Sequence, residues 1–177
     1  MTAQIPDTFM FKGEEYSLIG IQGGELASPL QYGMEPEMLH TACYRGFYAT
    51  YEVKDDGLFL RELTLREKNG KYLPLAGVEA DVKKSQGTYH DLEILVPFTG
   101  KMRLAKGFIE ELYVHMGFQK PTAFKYVYDM AFQDGKLVEL KDRSKDVERM
   151  RGAFKKKYAE DPFSNIDAAF SLDMDLE

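Results

Sequence analysis

Apolar and polar side chains alternate along two segments that each turn back at an Asp-Gly pair. The first segment covers residues 44–65 around Asp56-Gly57, and the second covers residues 124–140 around Asp134-Gly135. A period of two indicates a strand with one buried face, and Asp-Gly between two such runs is typical of a type I′ hairpin. The chain therefore predicts a sheet that is mainly antiparallel.

The first hairpin can be placed in register from its charges and its apolar positions. With Asp56-Gly57 as a two-residue turn, Val53 faces Leu60 on the core side and Glu52 faces Arg61 on the solvent side. Antiparallel neighbours favour both an apolar pair and a pair of opposite charges. We therefore predict this register for the first hairpin.

Both hairpins lose their alternation shortly after the turn. In the first, Leu63 has the wrong parity to share the face of Leu60, and a β-bulge at Arg61-Glu62 would return Leu63 to the core beside Tyr51. In the second, the alternation changes in the same way at Val138-Glu139. The likeness of the two hairpins fits an internal duplication, and it fits convergent bulges in a curved sheet equally well.

Two segments change to the 3.6-residue period of a helix. The clearer one covers residues 145–159, with Ser144 as its N-cap and Pro162 preventing its continuation. A shorter helix is predicted over residues 106–116, where a strand is the alternative. The predicted fold class is α+β: a mainly antiparallel curved β-sheet, as an open barrel or a sandwich, with a C-terminal amphipathic helix and one shorter helix.

The length of 177 residues suits one domain of ordinary size, which we place at residues 1–160. Residues 161–177 form an acidic and apolar tail with five acidic side chains and no base, and so most of the net charge of −6 belongs to this tail. The remaining body has no basic stripe, which argues against a nucleic-acid partner. The tail can pack on its own domain, lie across a homodimer or bind another protein.

The cysteine count and the hydropathy of the chain indicate the cellular compartment of the protein. The single cysteine, Cys43, excludes an internal disulfide framework and a cysteine zinc site. No run approaches the roughly 18 apolar residues that span a bilayer, and the first residues lack the basic and apolar regions of a signal peptide. We therefore expect a cytoplasmic protein without a membrane partner.

The candidates for catalysis are Cys43, Arg45 and His90. A cation beside a thiol lowers its pKa and makes it nucleophilic, and residues 43 and 45 share a face of a strand, whereas residues 40 and 43 do not. A lone cysteine is more often a small buried apolar residue. His40, His90 and His115 have no metal-ligand spacing, and the glycines of IQGGEL lack the pattern of a phosphate-binding loop, so the sequence predicts no metal and no cofactor.

The strand predicted at residues 124–132 is rich in aromatic side chains. Phe124, Tyr126, Tyr128 and Met130 share one of its faces. In a flat sheet beneath a helix, these side chains are core. In a curved half-barrel, the same side chains would line an apolar pocket in which the tyrosine hydroxyls orient a ligand.

Tyr44 and Tyr48 are the candidates for a partner surface, because tyrosine is enriched where proteins meet. The favoured function is accordingly a non-enzymatic protein-binding module of a bacterial cytoplasm, of the immunity or antitoxin-like inhibitor type. The alternative is a half-barrel that binds a small apolar ligand, and that acts as an enzyme if Cys43, Arg45 and His90 converge. The sequence leaves open the identity of the partner or ligand and the role of the glycine- and proline-rich residues 22–42.

Overall fold

The computed structural model describes residues 3–113, 115 and 118–151. Its regular elements are mostly strands, together with the described part of one α-helix and three short 3-10 turns. The strands are β1 (Thr8–Phe11), β2 (Glu14–Gly23), β3 (Phe47–Lys54), β4 (Gly57–Leu65), β5 (Asp81–Lys83), β6 (Gln86–Tyr89), β7 (Ile94–Leu95), β8 (Gly100–Phe108), β9 (Phe124–Gln133) and β10 (Lys136–Asp142). The helix, α1, is described over residues 144–151, and the 3-10 turns are Pro29–Tyr32, Glu110–Leu112 and Pro121–Ala123.

Seven strands close into a barrel in the order β10-β9-β8-β2-β1-β3-β4, after which β4 meets β10 again. The pair β1–β3 is parallel and the other neighbours are antiparallel, so the sheet is mixed. The predicted curved and mainly antiparallel sheet is confirmed in this coarse form, whereas the open arrangement is wrong.

The tips of the two Asp-Gly hairpins close the barrel. Leu58 N–H donates to the carbonyl oxygen of Gly135 over 2.8 Å, and Leu137 N–H donates to that of Asp56 over 2.7 Å. These two bonds are reciprocal, and they join turns that lie far apart in the sequence. Local patterning describes each hairpin but not the contact between them, which is why closure was not predicted.

The first hairpin turns one residue earlier than predicted. Asp55 and Asp56 have φ values of 51° and 59°, which are the positive angles that a type I′ turn needs at both central positions. Val53 consequently faces Leu58, and the predicted pairing of Val53 with Leu60 is wrong. Aspartate tolerates the left-handed region well enough to replace the expected glycine.

Both predicted bulges are confirmed. The extra residue of β4 is Arg61, because consecutive residues of β3 pair with the residues on either side of it. The extra residue of β10 is Val138. Leu63 is fully buried as expected, although it faces Ala49 and not Tyr51, since the whole register is shifted.

The shorter helix predicted over residues 106–116 is wrong. Strand β8 continues to Phe108, which pairs with Phe124 of β9, and a single 3-10 turn follows at Glu110–Leu112. The apolar spacing in this segment is therefore produced by a strand and a turn, because backbone pairing with β9 overrides the local helical pattern.

Helix α1 begins at the position that the sequence indicates. Ser144, however, does not cap the helix through its side chain, whose Oγ accepts from Val127 N–H over 3.1 Å. Asp142 Oδ1 accepts from Ser144 N–H over 2.9 Å, and the carbonyl oxygen of Arg143 accepts the N–H of Val147 over 3.1 Å. The predicted end of the helix, the domain boundary at residue 160 and the tail at 161–177 lie outside the described residues.

Apolar side chains fill the inside of the barrel. The loop of residues 24–42 contributes Ala27 and Met34 to this core, and the Tyr51 hydroxyl donates to the carbonyl oxygen of Ala27 over 3.4 Å. The loop thus covers the barrel core. Fully or nearly fully buried members of the core include Phe9, Tyr51, Leu58, Leu60, Leu63, Met102, Leu104, Met130 and Phe132.

A second, smaller apolar cluster links the barrel to α1. Its buried members are Ile19, Ala105, Ala123, Phe124, Val127 and Val147. Beside this cluster, Arg103 and Asp129 form a bidentate ion pair, and Arg143 Nη1 lies 3.5 Å from the same carboxylate. Among the described residues, no helix is long and apolar enough to cross a membrane.

Candidate binding surface around Tyr44

The segment before β3 forms a surface depression with the start of the chain. The N–H of Ile5 donates to the carbonyl oxygen of Ala42 over 2.8 Å, and Tyr44 N–H donates to Gln4 Oε1 over 3.2 Å. These bonds hold the two segments side by side. The depression has a volume of about 210 Å³, and its walls are Gln4, Ile5, Cys43, Tyr44, Arg45 and Phe118.

Cys43 forms part of this depression, but its thiol is poorly suited to act as a nucleophile. The side chain is buried, and Sγ donates to the carbonyl oxygen of Phe47 over 3.4 Å. Burial raises the pKa of the Cys43 thiol, and the Arg45 cation offsets only part of this effect. Because the thiolate is the reactive form, the raised pKa disfavours covalent chemistry at neutral pH.

Arg45 is held by several groups at once. Its guanidinium pairs with the buried carboxylate of Asp7, its Nε donates to the carbonyl oxygen of Phe47 over 2.8 Å, and its Cζ lies 4.4 Å from the centre of the Phe47 ring. Asp7 also accepts the N–H of Ala49 over 2.9 Å. Arg45 therefore fixes the position of this segment against β1 and β3.

His90, the third catalytic candidate, has a different set of partners. Its Nδ1 lies 3.2 Å from Glu62, and its Nε2 lies 3.9 Å from Asp81, with more than half of the side chain exposed. Cys43 Sγ and Arg45 Nε both donate to the carbonyl oxygen of Phe47, whereas none of the contacts of His90 involves Cys43 or Arg45. Among the described residues, no group of three or more His, Cys, Asp or Glu side chains is placed to hold a metal ion.

The two partner-surface tyrosines differ in exposure. Tyr44 is 44% exposed and stands beside Ile5, which is 37% exposed. Tyr48 is half-buried on β3, where it faces Thr64 of β4. Tyr44 therefore has the larger free surface, and the contribution of Ile5 had no signal in the sequence because its neighbour is about 40 positions away.

The four side chains of the predicted ligand pocket are divided between different surroundings. Phe124 belongs to the cluster under α1, and Met130 to the core of the barrel. Tyr126 is 47% exposed, with Lys106 Nζ 5.2 Å from its ring centre, and Tyr128 packs edge-on against Tyr16 at 5.7 Å. The ligand pocket stays a prediction, and of its four side chains Tyr126 is exposed whereas Tyr128 is half-buried.

Comparison of the chain with protein-family models, with curated proteins and with solved structures finds no match. A functional interpretation therefore depends on the geometry of the chain itself.

Proposed function

We propose that this protein is a non-enzymatic protein-binding module, and that the surface around Tyr44 is its contact site. The observation that carries the proposal is the exposure of Tyr44 and Ile5 beside an apolar depression of about 210 Å³. Hot spots of protein interfaces are enriched in tyrosine and arginine and lie next to pockets that an anchor side chain can fill. The depression suits one apolar anchor of a partner protein.

Rigidity of the site supports the same proposal. Arg45 is fixed by Asp7 and by the carbonyl oxygen of Phe47, and the neighbouring backbone is held by Gln4. A preorganised surface loses little conformational entropy on binding, which favours affinity. The buried thiol of Cys43 is better suited to lining this depression than to acting as a reactive group. An immunity or antitoxin-like inhibitor, which masks a surface of another protein, is the kind of molecule that would use such a site.

The test begins with a photo-crosslinking amino acid placed at position 44 in the native host. The covalently captured protein is identified and purified, and its affinity is then measured by calorimetry with the wild type and with Tyr44→Ala. We expect affinity to fall by about tenfold or more, which is the loss typical of a central interface tyrosine. Tyr48→Ala and deletion of residues 161–177 should also weaken the complex.

Tyr126→Ala is the matched control, because Tyr126 is as exposed as Tyr44 but lies on β9, whereas Tyr44 lies in the turn before β3. This variant should bind the partner normally. Equal affinity of the wild type, Tyr44→Ala and Tyr48→Ala for the captured protein would reject the proposed surface.

A second candidate is the binding of a small apolar ligand beside Tyr126. The observation that favours it is the position of Lys106, whose Nζ lies 5.4 Å from the ring centre of Tyr16 and 5.2 Å from that of Tyr126. The Lys106 ammonium also pairs with Glu14, so its charge is already compensated, and the aromatic surface suits a ligand with an apolar body whose polar end is oriented by the tyrosine hydroxyl. Tyr126→Trp should then abolish ligand uptake and leave partner binding intact, and uptake that survives this change would place the ligand elsewhere.

A further inference from the structure

Strand β10 has one edge that is fully paired and one that is largely open. On one side it pairs with β9 along its length, whereas on the other side β4 reaches it through the pair Lys136–Gly57. Beyond Leu137, whose N–H donates to Asp56, no strand of the described part of the chain lies along this second side. An open strand edge offers N–H and C=O groups to a further strand.

The hydrogen bonds show which backbone groups face the open edge. Arg143 N–H donates to the carbonyl oxygen of Val127 in β9 over 2.8 Å. In an antiparallel ladder, successive residues direct their N–H and C=O groups to opposite sides. Lys141 and Glu139 therefore direct these groups to β9, and Leu140 and Asp142 direct theirs to the open edge.

The sequence of this edge is complementary to itself. We propose that a second copy of the chain pairs with β10 in an antiparallel sense, about a two-fold axis at Leu140. In this register, Leu140 faces Leu140 of the second copy, and Glu139 of each copy faces Lys141 of the other. A two-fold interface requires such self-complementarity. The two Glu-Lys contacts fall at pairs without mutual hydrogen bonds, where cross-strand side chains are closest.

The side chains of the edge are available for these contacts. Val138 and Leu140 are 58% and 42% exposed. Among the residues that the structure describes, Glu139 and Lys141 take part in no ion pair, and both lie on the same outer side of β10, next to Ala131 and Asp129. Proteins commonly protect a strand edge with a charge of one sign, but here opposite charges two residues apart attract a second copy of the same strand.

The other edge of the sheet is less suited to this pairing. Strand β5 has three residues, and Lys83 Nζ lies 3.2 Å from Asp81 of the same strand, so its charges are already neutralised internally. The open part of β10 covers residues 138–142, which is the length of an ordinary strand. The observations therefore favour β10 as the dimer edge.

The experiment is a charge reversal measured by light scattering after size exclusion, with the full-length protein at about 100 µM, because dimerisation depends on concentration. The wild type should have twice the monomer mass of 20.3 kDa. Glu139→Lys and Lys141→Glu each place like charges opposite one another at both contacts, and each should dimerise about tenfold or more weakly. Far-UV circular dichroism checks that both variants fold.

Two further samples restore the complementarity. The double variant E139K/K141E should dimerise as the wild type does. An equimolar mixture of Glu139→Lys with 15N-labelled Lys141→Glu should form heterodimers, which native mass spectrometry resolves by the label.

A monomeric wild type, or single variants that dimerise as well as the wild type, would overturn the proposal, as would a mixture that stays monomeric. A monomeric wild type is also the outcome if residues 152–177 or another protein cover this edge. The proposal is independent of the surface around Tyr44, so Tyr44→Ala should leave the dimer unchanged.

Discussion

Replacement of Asp129 by asparagine should lower the free energy of unfolding by about 3–5 kcal/mol, because it removes the carboxylate of a bidentate ion pair with the buried Arg103. Asp129 accepts hydrogen bonds from Arg103 Nε over 2.6 Å and from Arg103 Nη2 over 2.8 Å. Arg143 Nη1 lies 3.5 Å from the same carboxylate. The side chains of Arg103 and Asp129 are 3% and 17% exposed, so solvent screens these charges only weakly.

The chain contains no tryptophan, and unfolding in urea is therefore followed by far-UV circular dichroism. For a chain of this length, about 2–4 °C of Tm per kcal/mol converts the expected loss to a fall of roughly 6–20 °C. Glu93→Gln is the control, since Glu93 is an exposed acid whose nearest cation, Arg61, is 4.0 Å away. This control should change stability by less than about 0.5 kcal/mol.

The double replacement R103M/D129L separates the cost of breaking the ion pair from the net contribution of the pair to stability. Apolar side chains of similar size often replace a buried ion pair without loss, so the double variant should be more stable than Asp129→Asn alone. A loss of less than about 1 kcal/mol for Asp129→Asn would refute the reasoning, because the carboxylate would then contribute little to the stability of the buried Arg103 guanidinium.

Three further predictions concern single positions. Burial raises the pKa of Tyr89 to about 12, so this phenol ionises in the unfolded chain at a lower pH than in the folded chain. The corresponding contribution to stability is present below pH 10 and is lost as the pH rises towards 12. Tyr89→Phe should reduce this alkaline loss of stability in urea titrations. Cys43 should react with iodoacetamide at pH 7 at least about tenfold more slowly in the folded than in the unfolded protein, as measured by mass spectrometry. Gly135→Ala should cost about 1–3 kcal/mol in thermal unfolding, because φ is 79° and the added Cβ would collide with the carbonyl oxygen of Val96.

Each of these three predictions has an outcome that contradicts it. An alkaline loss that is unchanged in Tyr89→Phe would assign that loss to other groups. Rapid alkylation of Cys43 in the folded protein would reopen a role as a nucleophile. A Gly135→Ala variant as stable as the wild type would mean that the closure between the two hairpins adapts to a side chain.

The sequence was most informative where the contacts are local. The period-two pattern located the hairpins, and the breaks in parity located the bulges at Arg61 and Val138. Both signals arise because a strand that packs against a core must keep its apolar side chains on one face. The start of α1 was predicted from the change to a helical period, whereas the capping role expected for the Ser144 side chain was wrong, because its Oγ accepts from Val127 N–H in β9. Of the two tyrosines that the sequence placed on the outer side, Tyr44 is exposed and Tyr48 is half-buried.

Tertiary structure decided how these pieces combine. Closure of the barrel depends on Leu58 bonding to Gly135, and the depression beside Tyr44 depends on Ile5 packing from the start of the chain. It also turned residues 106–108, which have helical spacing, into a strand, because β9 offers them backbone partners. The sequence by itself therefore determined the hairpins, the bulges and the exposed tyrosine, whereas the closed sheet and the shape of the site required contacts between distant residues, which no local pattern encodes.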